Sequence, residues 1–210
     1  MSIVDERTDK RAAGPRSLTA IVDYAVASHA RAAGVLLILS LLAFLPGLFQ
    51  VPPVDRDEAR FAQATKQMVE TGDYVDIRFQ DEVRYKKPVG IYWLQAAAVK
   101  AGSALGIAEA PTRIALYRLP SLLGALTSVL LTYWTALAFV NRRAALLAAM
   151  MMATSILLGV EARLAKTDAV LLASVLAAMG SMARIYLSDR GGNPSEKSWT
   201  LPGIFLQKNR

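Results

Sequence analysis

Charged side chains that could perform acid–base and anion-binding chemistry cluster between Val54 and Trp93. Four are consecutive, in DRDE at residues 55–58, and a basic group follows in RYKKP at residues 84–88. A carboxylate can take a proton from a hydroxyl, and cations beside it can hold a negatively charged group. The segment therefore predicts a site that combines one base with several cations.

The rest of the chain predicts a membrane protein that holds this segment at its surface. Of the 210 residues, 54% are hydrophobic, and they fall in long runs instead of periodic stripes. Runs of about 18 or more nearly uncharged residues are long enough to cross a bilayer as a helix. We expect an all-α, multi-pass protein with about four transmembrane helices and outer-face juxtamembrane helices. The expected spans are residues 32–51, 116–140, 144–160 and 169–182.

The composition excludes several kinds of site. The chain has no cysteine, which rules out disulfides, thiolate metal sites and cysteine nucleophiles. Its one histidine, His29, precedes the first apolar run and is expected to be solvated, which disfavours a serine–histidine–aspartate triad. The net charge of +7 comes from basic residues that flank apolar runs. Anionic membrane lipid is therefore a better partner than nucleic acid.

The order of the spans predicts where the charged segment lies. The basic turn at residues 141–143 should be cytoplasmic, because short basic loops stay inside. The turn is cytoplasmic only if residues 89–107, which contain Gln95 and Lys100, lie in or on the outer leaflet and do not cross the membrane. Asp57, Lys87 and Asp168 then share the outer face.

The predicted spans also divide the chain into three regions. Residues 1–31 form a cytoplasmic tail, and residues 32–187 form the transmembrane region with an outer-face catalytic loop at residues 52–115. Residues 188–210 form a second cytoplasmic tail or the start of a truncated fifth span.

A short helix is predicted inside the outer loop. Residues 57–71 are helix formers, and Gly72 follows as a stop. Asp55 can cap this helix, with Glu58 reaching back in a capping box. One face carries Phe61, Ala64, Thr65 and Met68, so we expect the helix to lie on the membrane.

One carboxylate beside several cations at a membrane surface suits displacement at a sugar carbon whose leaving group is a lipid phosphate. A polyprenyl phosphate leaves as an anion and needs no proton, so the second acid that glycosidases use is dispensable. Asp57 would be the base, while Lys87 and Arg60 stabilise the departing phosphate. Most other charges of the loop are expected to be solvated.

Several short motifs have a characteristic order along the chain. They are DEARFA at 57–62, GDY at 72–74, YKKP at 85–88, YWL at 92–94, RLPS at 118–121, RRAALLA at 142–148, AR at 162–163 and TD at 167–168. In order and spacing they resemble the GT-C glycosyltransferases, in particular the bacterial aminoarabinose lipid A transferases and protein-mannosyltransferase-like enzymes. The resemblance covers roughly residues 35–185. It implies a multi-pass enzyme of the bacterial inner membrane with a periplasmic active face.

The resemblance also implies roles for individual residues. Asp57 becomes the catalytic aspartate, and Arg60, Lys87 and Asp168 become substrate-binding residues on the same face. The family often has a glutamate at the position of Lys86, where it can join the aspartate in holding a divalent metal. Lys86 disfavours such a metal and would supply the positive charge itself, so no cofactor is assigned with certainty.

The substrates implied are a polyprenyl-phosphate sugar donor and a lipid A-like glycolipid or protein acceptor. Family members have about a dozen spans and a soluble periplasmic domain, so we expect this chain to be the N-terminal part of such an enzyme. The alternative is a non-catalytic, truncated membrane subunit that binds anionic lipid or a membrane partner through its basic loop.

Overall fold

The structure, a computed structural model, describes residues 16–190 and is mostly helical. Of the predicted tails, residues 1–15 and 191–210 lie outside the described residues, whereas residues 16–31 form α1 and the start of α2. The elements in chain order are α1 (Arg16–Val26), α2 (His29–Phe44), α3 (Arg56–Thr71), β1 (Arg78–Phe79), β2 (Glu82–Val83), α4 (Gly90–Ala104), a 3-10 turn (Ala110–Thr112), α5 (Ile114–Ala136), α6 (Arg142–Ala153), α7 (Ile156–Glu161) and α8 (Asp168–Arg190).

Two of these helices have the length and apolar composition needed to cross a membrane. They are α5 and α8, while α2 is apolar but shorter. A helix of 23 residues, such as α5, is about 35 Å long at a rise of about 1.5 Å per residue. This confirms a helical protein with membrane-type helices, and the count of four spans stays a prediction.

The expectation of one continuous helix over residues 144–160 is wrong. Helix α6 ends at Ala153 and α7 begins at Ile156. The Thr154 hydroxyl donates to the Met150 carbonyl at 3.0 Å, and Ser155 is extended. Hydroxyl side chains compete for backbone carbonyls in this way and interrupt or bend helices.

Small residues bring α5 and α8 together. A Cβ at Gly124 would lie 2.8 Å from the Val170 nitrogen, so only glycine permits this approach. The Ser128 hydroxyl donates to the Gly124 carbonyl at 2.8 Å, and Ala125 is fully buried. The small residues at 124, 125 and 128 therefore form the contact surface of α5 with α8.

Arginine side chains join the ends of neighbouring helices by donating to backbone carbonyls. Arg142 donates to Val26 at 2.7 Å, and Arg163 donates to Pro46 at 2.7 Å. Carbonyls at helix C-termini have no partner within their own helix, so these bonds satisfy them. They place α1 beside the start of α6, and the end of α2 beside the end of α7.

His29 lies at the α1–α6 end of the bundle and is half-buried. Its Nδ1 is 3.0 Å from the Tyr133 hydroxyl, and its Nε2 is 3.3 Å from Arg142 Nη2. The expectation of a solvated histidine is therefore wrong. The first turn of α2 places the ring between α5 and α6.

Helices α3 and α4 pack against each other at the opposite end. The Phe61 and Tyr92 rings are 5.3 Å apart, and the buried Thr65 hydroxyl donates to Gln95 Oε1 at 2.6 Å. The apolar face of α3 is thus covered by protein, and the expectation that it faces the membrane is wrong. Helix α4 in turn lies beside the first half of α5, where Val99 clusters with Tyr117.

Candidate active site

The N-terminus of α3 presents the candidate base. The Asp55 carboxylate accepts a hydrogen bond from the Asp57 backbone N–H at 2.9 Å, and Gly72 ends the helix with φ of 74°. This confirms the predicted cap and stop. Asp57 consequently lies in the first turn, where the positive end of the helix dipole favours a carboxylate.

The Asp57 side chain points outward and is 55% exposed. Its ion-pair partner is Arg60, one turn further along α3, with Arg60 Nη1 3.6 Å from Asp57 Oδ1. The structure therefore brings together the predicted base and the predicted supporting cation on an accessible surface.

Glu58 points the opposite way, although it is the next residue. Its side chain is fully buried, and Oε1 accepts from Arg118 Nε at 2.7 Å and from the Ala165 N–H at 3.1 Å. The predicted capping box is wrong, because Glu58 is used by α5 and by the loop before α8. Successive residues of a helix are about 100° apart, which separates Asp57 from Glu58.

The buried partner, Arg118, ties α5 to the segment that follows α2. Its Nη1 donates to the carbonyls of Leu48 and Val51, both at 2.8 Å. Its Nη2 donates to Glu58 Oε2 at 3.2 Å and to the Pro52 carbonyl at 3.3 Å. The guanidinium is fully enclosed by these acceptors.

The loop between α7 and α8 reaches the same place and supplies Lys166. The Ser121 hydroxyl donates to the Lys166 carbonyl at 3.0 Å, and Lys166 Nζ forms an ion pair with Asp55. The hydrogen bond from Lys166, followed by that from the Asp57 N–H, lowers the pKa of Asp55. Burial opposes the charged ammonium, but the bond to Asp55 and the charge of Glu161 outweigh burial and raise the pKa of Lys166.

Asp168 begins α8 at the end of this loop and is exposed. It lies near Glu161, whose pKa is raised mainly by burial and further by the Asp168 carboxyl. Asp168 therefore belongs to a loop that contacts the start of α3. Within residues 16–190, however, no hydrogen bond or ion pair joins Asp168 to Asp57.

Lys86 and Lys87 lie in the turn between β2 and α4, and both are exposed. Their hairpin is held on α3 by two bonds between Gln67 and Gln80, of 2.9 and 3.0 Å. No ion pair within the described part of the chain engages either lysine. Both ammonium groups are thus available to an anion.

Arg84 differs from the two lysines that follow it. It is only 9% exposed, and its guanidinium lies 5.6 Å from the centre of the Phe61 ring. The sequence groups Arg84 with Lys86 and Lys87, but the fold assigns it to the packing between the hairpin and α3.

An apolar groove of about 620 Å³ runs between α4, α5 and α8. Leu94 and Ala98 line one side, Leu119 and Leu123 line another, and Val170 lies at the start of α8. Val170 also packs against the cluster that contains Phe61 and Tyr92. The groove is therefore connected, through Val170, to the packing beneath α3.

Comparison with known families decides the assignment of the chain. Residues 34–207 match the family model described as dolichyl-phosphate-mannose-protein mannosyltransferase. The chain belongs to this family. The GT-C resemblance of the sequence motifs is confirmed, since this is a GT-C mannosyltransferase family.

A curated relative supports the same assignment for this mannosyltransferase-family chain. It is the undecaprenyl phosphate-alpha-4-amino-4-deoxy-L-arabinose arabinosyl transferase of Pectobacterium carotovorum subsp. carotovorum (strain PC1), which is 34% identical over 126 residues. The match covers 59% of this chain and 21% of the relative. The chain thus spans about a fifth of the length of that relative. No solved structure matches the chain.

The donor set of this GT-C family member does not fit a carboxylate-held metal. Among the residues that the structure describes, no group of three or more His, Cys, Asp or Glu side chains could hold a metal ion. Asp57 faces Arg60, and Lys86 stands where the resemblance implies a second carboxylate.

Proposed function

We propose that this chain is part of a membrane glycosyltransferase that moves a sugar from a polyprenyl-phosphate donor to a lipid A-like glycolipid or a protein. The active face would be the periplasmic side of a bacterial inner membrane. Family membership supports the reaction class, and the name of the curated relative supports a polyprenyl-phosphate donor. The membrane-type helices support a location in a membrane.

The observation that carries the proposal is the setting of Asp57. The carboxylate is fixed by a capped helix, remains 55% exposed, and has Arg60 at 3.6 Å. A general base needs an accessible, ionised carboxylate within reach of its substrate. The buried contacts of Glu58 anchor this turn of α3 and so fix the position of the neighbouring Asp57.

The proposed reaction has one displacement step. An acceptor oxygen attacks the anomeric carbon, and its proton passes to Asp57. The bond between that carbon and the phosphate oxygen breaks, and the polyprenyl phosphate leaves with the electron pair. Lys86, Lys87 and Arg60 stabilise the negative charge that develops on the phosphate, and Asp168 binds the substrate from the opposite loop.

The apolar groove supports a lipid-linked donor. A polyprenyl chain is flexible and entirely apolar, and so are the residues from α4 and α5 that line the groove. The groove begins near Val170, two residues after Asp168. A donor tail could therefore lie between the helices while its phosphate reaches the charged turn.

Asp57→Asn tests the base. Without the carboxylate we expect sugar transfer to fall by about 100-fold to 10,000-fold, the contribution typical of a general base. Transfer from a polyprenyl-phosphate sugar should be measured in membranes that carry the full-length enzyme. Asp81→Asn, an exposed aspartate of the hairpin turn, is the matched control and should leave transfer unchanged. Normal transfer by Asp57→Asn, with normal membrane insertion, would rule out this residue as base.

Lys87→Met tests the phosphate contact. Loss of the ammonium should raise the KM for the lipid-linked donor about tenfold, because a charge-assisted bond to phosphate is lost. Lys66→Met is the control, because this half-buried lysine of α3 already pairs with Glu70. An unchanged KM for the donor would count against Lys87 as a phosphate ligand.

The alternative, a non-catalytic subunit that binds anionic lipid, needs only the exposed cations Lys86 and Lys87. Under it, Lys87→Met weakens binding to anionic vesicles while Asp57→Asn has no functional effect. The two variants therefore separate an enzyme from a lipid-binding module.

A further inference from the structure

A buried ion pair between Glu58 and Arg118 lies behind Asp57. It connects α3 to the α7–α8 loop, and both of these segments carry candidate site residues. Glu58 contributes the first turn of α3, and Arg118 contributes α5. Through the Ala165 N–H, Glu58 also holds the loop that continues to Lys166 and Asp168. Because Arg118 also binds the segment that follows α2, the pair lies where four parts of the chain meet.

The hydrogen bonds of this pair leave no spare donor on the arginine. A guanidinium has five N–H groups. Here Nε donates to Glu58, the two N–H groups of Nη1 donate to Leu48 and Val51, and those of Nη2 donate to Pro52 and Glu58. Such a network is satisfied in one arrangement of its segments, so it can set their relative positions closely.

The loop of residues 162–168 is fixed a second time from α5. Ser121 lies one turn after Arg118, donates to the Lys166 carbonyl at 3.0 Å, and accepts from the Lys166 N–H at 3.3 Å. Lys166 then reaches Asp55, the residue that caps α3. Ser121 directly, and Arg118 through Glu58, therefore hold this loop against the start of α3.

We propose that Glu58 and Arg118 are positioning residues that fix the Asp57 carboxylate relative to the loop carrying Lys166 and Asp168. Asp57 and Glu58 are consecutive residues in the first turn of α3, so a shift of the backbone at Glu58 also moves the base. The predicted loss of catalytic rate rests on the function proposed above, whereas the predicted change in the position of α3 does not. A displacement of about 1 Å at a reacting group can cost about 100-fold in rate.

The geometry can be tested without an activity assay, because the chain has no cysteine and accepts site-specific spin labels. One pair of labels, at Gln63 and Val175, would report the distance between α3 and α8 by double electron–electron resonance. A second pair, at Leu123 and Met182, would report the distance between α5 and α8. All four side chains are exposed.

Glu58→Gln is the main variant, and Glu70→Gln is its matched control on the exposed side of the same helix. Glutamine retains an acceptor for the Ala165 N–H but turns an amide donor toward Arg118. We expect the α3–α8 distance distribution to broaden or shift, while the α5–α8 distribution stays as in the wild type. Glu70→Gln should change neither. Arg118→Lys, a milder change with three donors instead of five, should alter the α3–α8 distance alone.

The kinetic readout separates positioning from general stability. In the transfer assay, Glu58→Gln should lower kcat at least about tenfold and change the KM for the donor less than about threefold, as expected for misplacement of the base. An unchanged α3–α8 distribution in both variants would overturn the inference, and so would equal broadening of both label pairs. If the distances change as expected but the wild-type enzyme transfers no sugar, the proposed function fails and the positioning role stands.

Discussion

Two consecutive acidic residues of α3, Asp57 and Glu58, each pair with an arginine, yet the two pairs differ in almost every physical respect. The Asp57–Arg60 pair is separated by 3.6 Å on an exposed surface. The Glu58–Arg118 pair is separated by 2.7 Å with both side chains fully buried. The first pair is accessible to a substrate, and the second is accessible only to the protein itself.

The difference shows how one helical turn can serve both chemistry and architecture. Exposed ion pairs contribute about 0–1 kcal/mol, because water screens them and mobile side chains lose entropy in forming them. Removing one partner of a buried pair costs about 3–5 kcal/mol, since the other charge is left without compensation. Replacing a residue of the exposed pair should therefore change activity, and replacing a residue of the buried pair should also change folding.

The largest effect on stability is expected from Arg118→Leu. The change leaves the Glu58 carboxylate buried without its countercharge and removes the donors for three backbone carbonyls. We expect the free energy of unfolding to fall by about 3–5 kcal/mol. Denaturant unfolding in detergent micelles would measure it. A loss below about 1 kcal/mol would mean that water reaches the pair and that the contrast with Asp57–Arg60 is wrong.

An intermediate effect is expected where Asp55 meets Lys166, and it should depend on pH. The pKa of Asp55 is lowered by the hydrogen bond from Lys166. Its contribution to stability is thus complete above the ordinary aspartate pKa of about 3.9 and is lost as the pH falls through the lowered value. Asp55→Asn should remove this acid-dependent loss, seen as a flatter plot of thermal midpoint against pH.

Glu161 provides the control with the opposite sign. Burial raises the pKa of Glu161, so its contribution is complete below the ordinary glutamate pKa of about 4.3 and is lost as the pH rises through the raised value. Glu161→Gln should therefore raise the thermal midpoint at neutral pH relative to the wild type. The same sign for Asp55→Asn and Glu161→Gln would contradict the charge arrangement around Lys166.

The smallest effect on stability is expected from Arg60→Met. Its ion pair is solvated, so the free energy of unfolding should change by less than about 1 kcal/mol. Transfer activity should nevertheless fall, because the cation that pairs with the base is lost. A loss of stability as large as that of Arg118→Leu would show that the exposed pair has a structural role after all.

Local patterns in the sequence were sufficient to predict part of the fold and of the candidate site. Asp55 as cap and Gly72 as stop are defined by residues within a few positions, and the long apolar runs identify α5 and α8. The motif order identified the family. The cap, the stop and the apolar runs were confirmed because each depends on side chains close together in the chain.

Other features depend on contacts between distant residues and could not be predicted from local pattern. Glu58 meets Arg118, 60 positions away, and the Ala165 N–H, 107 positions away. A local capping-box pattern predicted a different partner for Glu58. Lys166 was missed because its partner, Asp55, is also far away in the sequence. The amphipathic pattern of α3 correctly marked a buried face but does not distinguish protein from lipid as the covering surface.

The measurement that tests the central claim most directly is sugar transfer by Asp57→Asn and Glu58→Gln, each assayed alongside its unfolding. For Asp57→Asn we predict a loss of about 100-fold or more in kcat with an unchanged free energy of unfolding. For Glu58→Gln we predict a loss in both quantities. Transfer at the wild-type rate by Asp57→Asn would contradict the assignment of this carboxylate as the base.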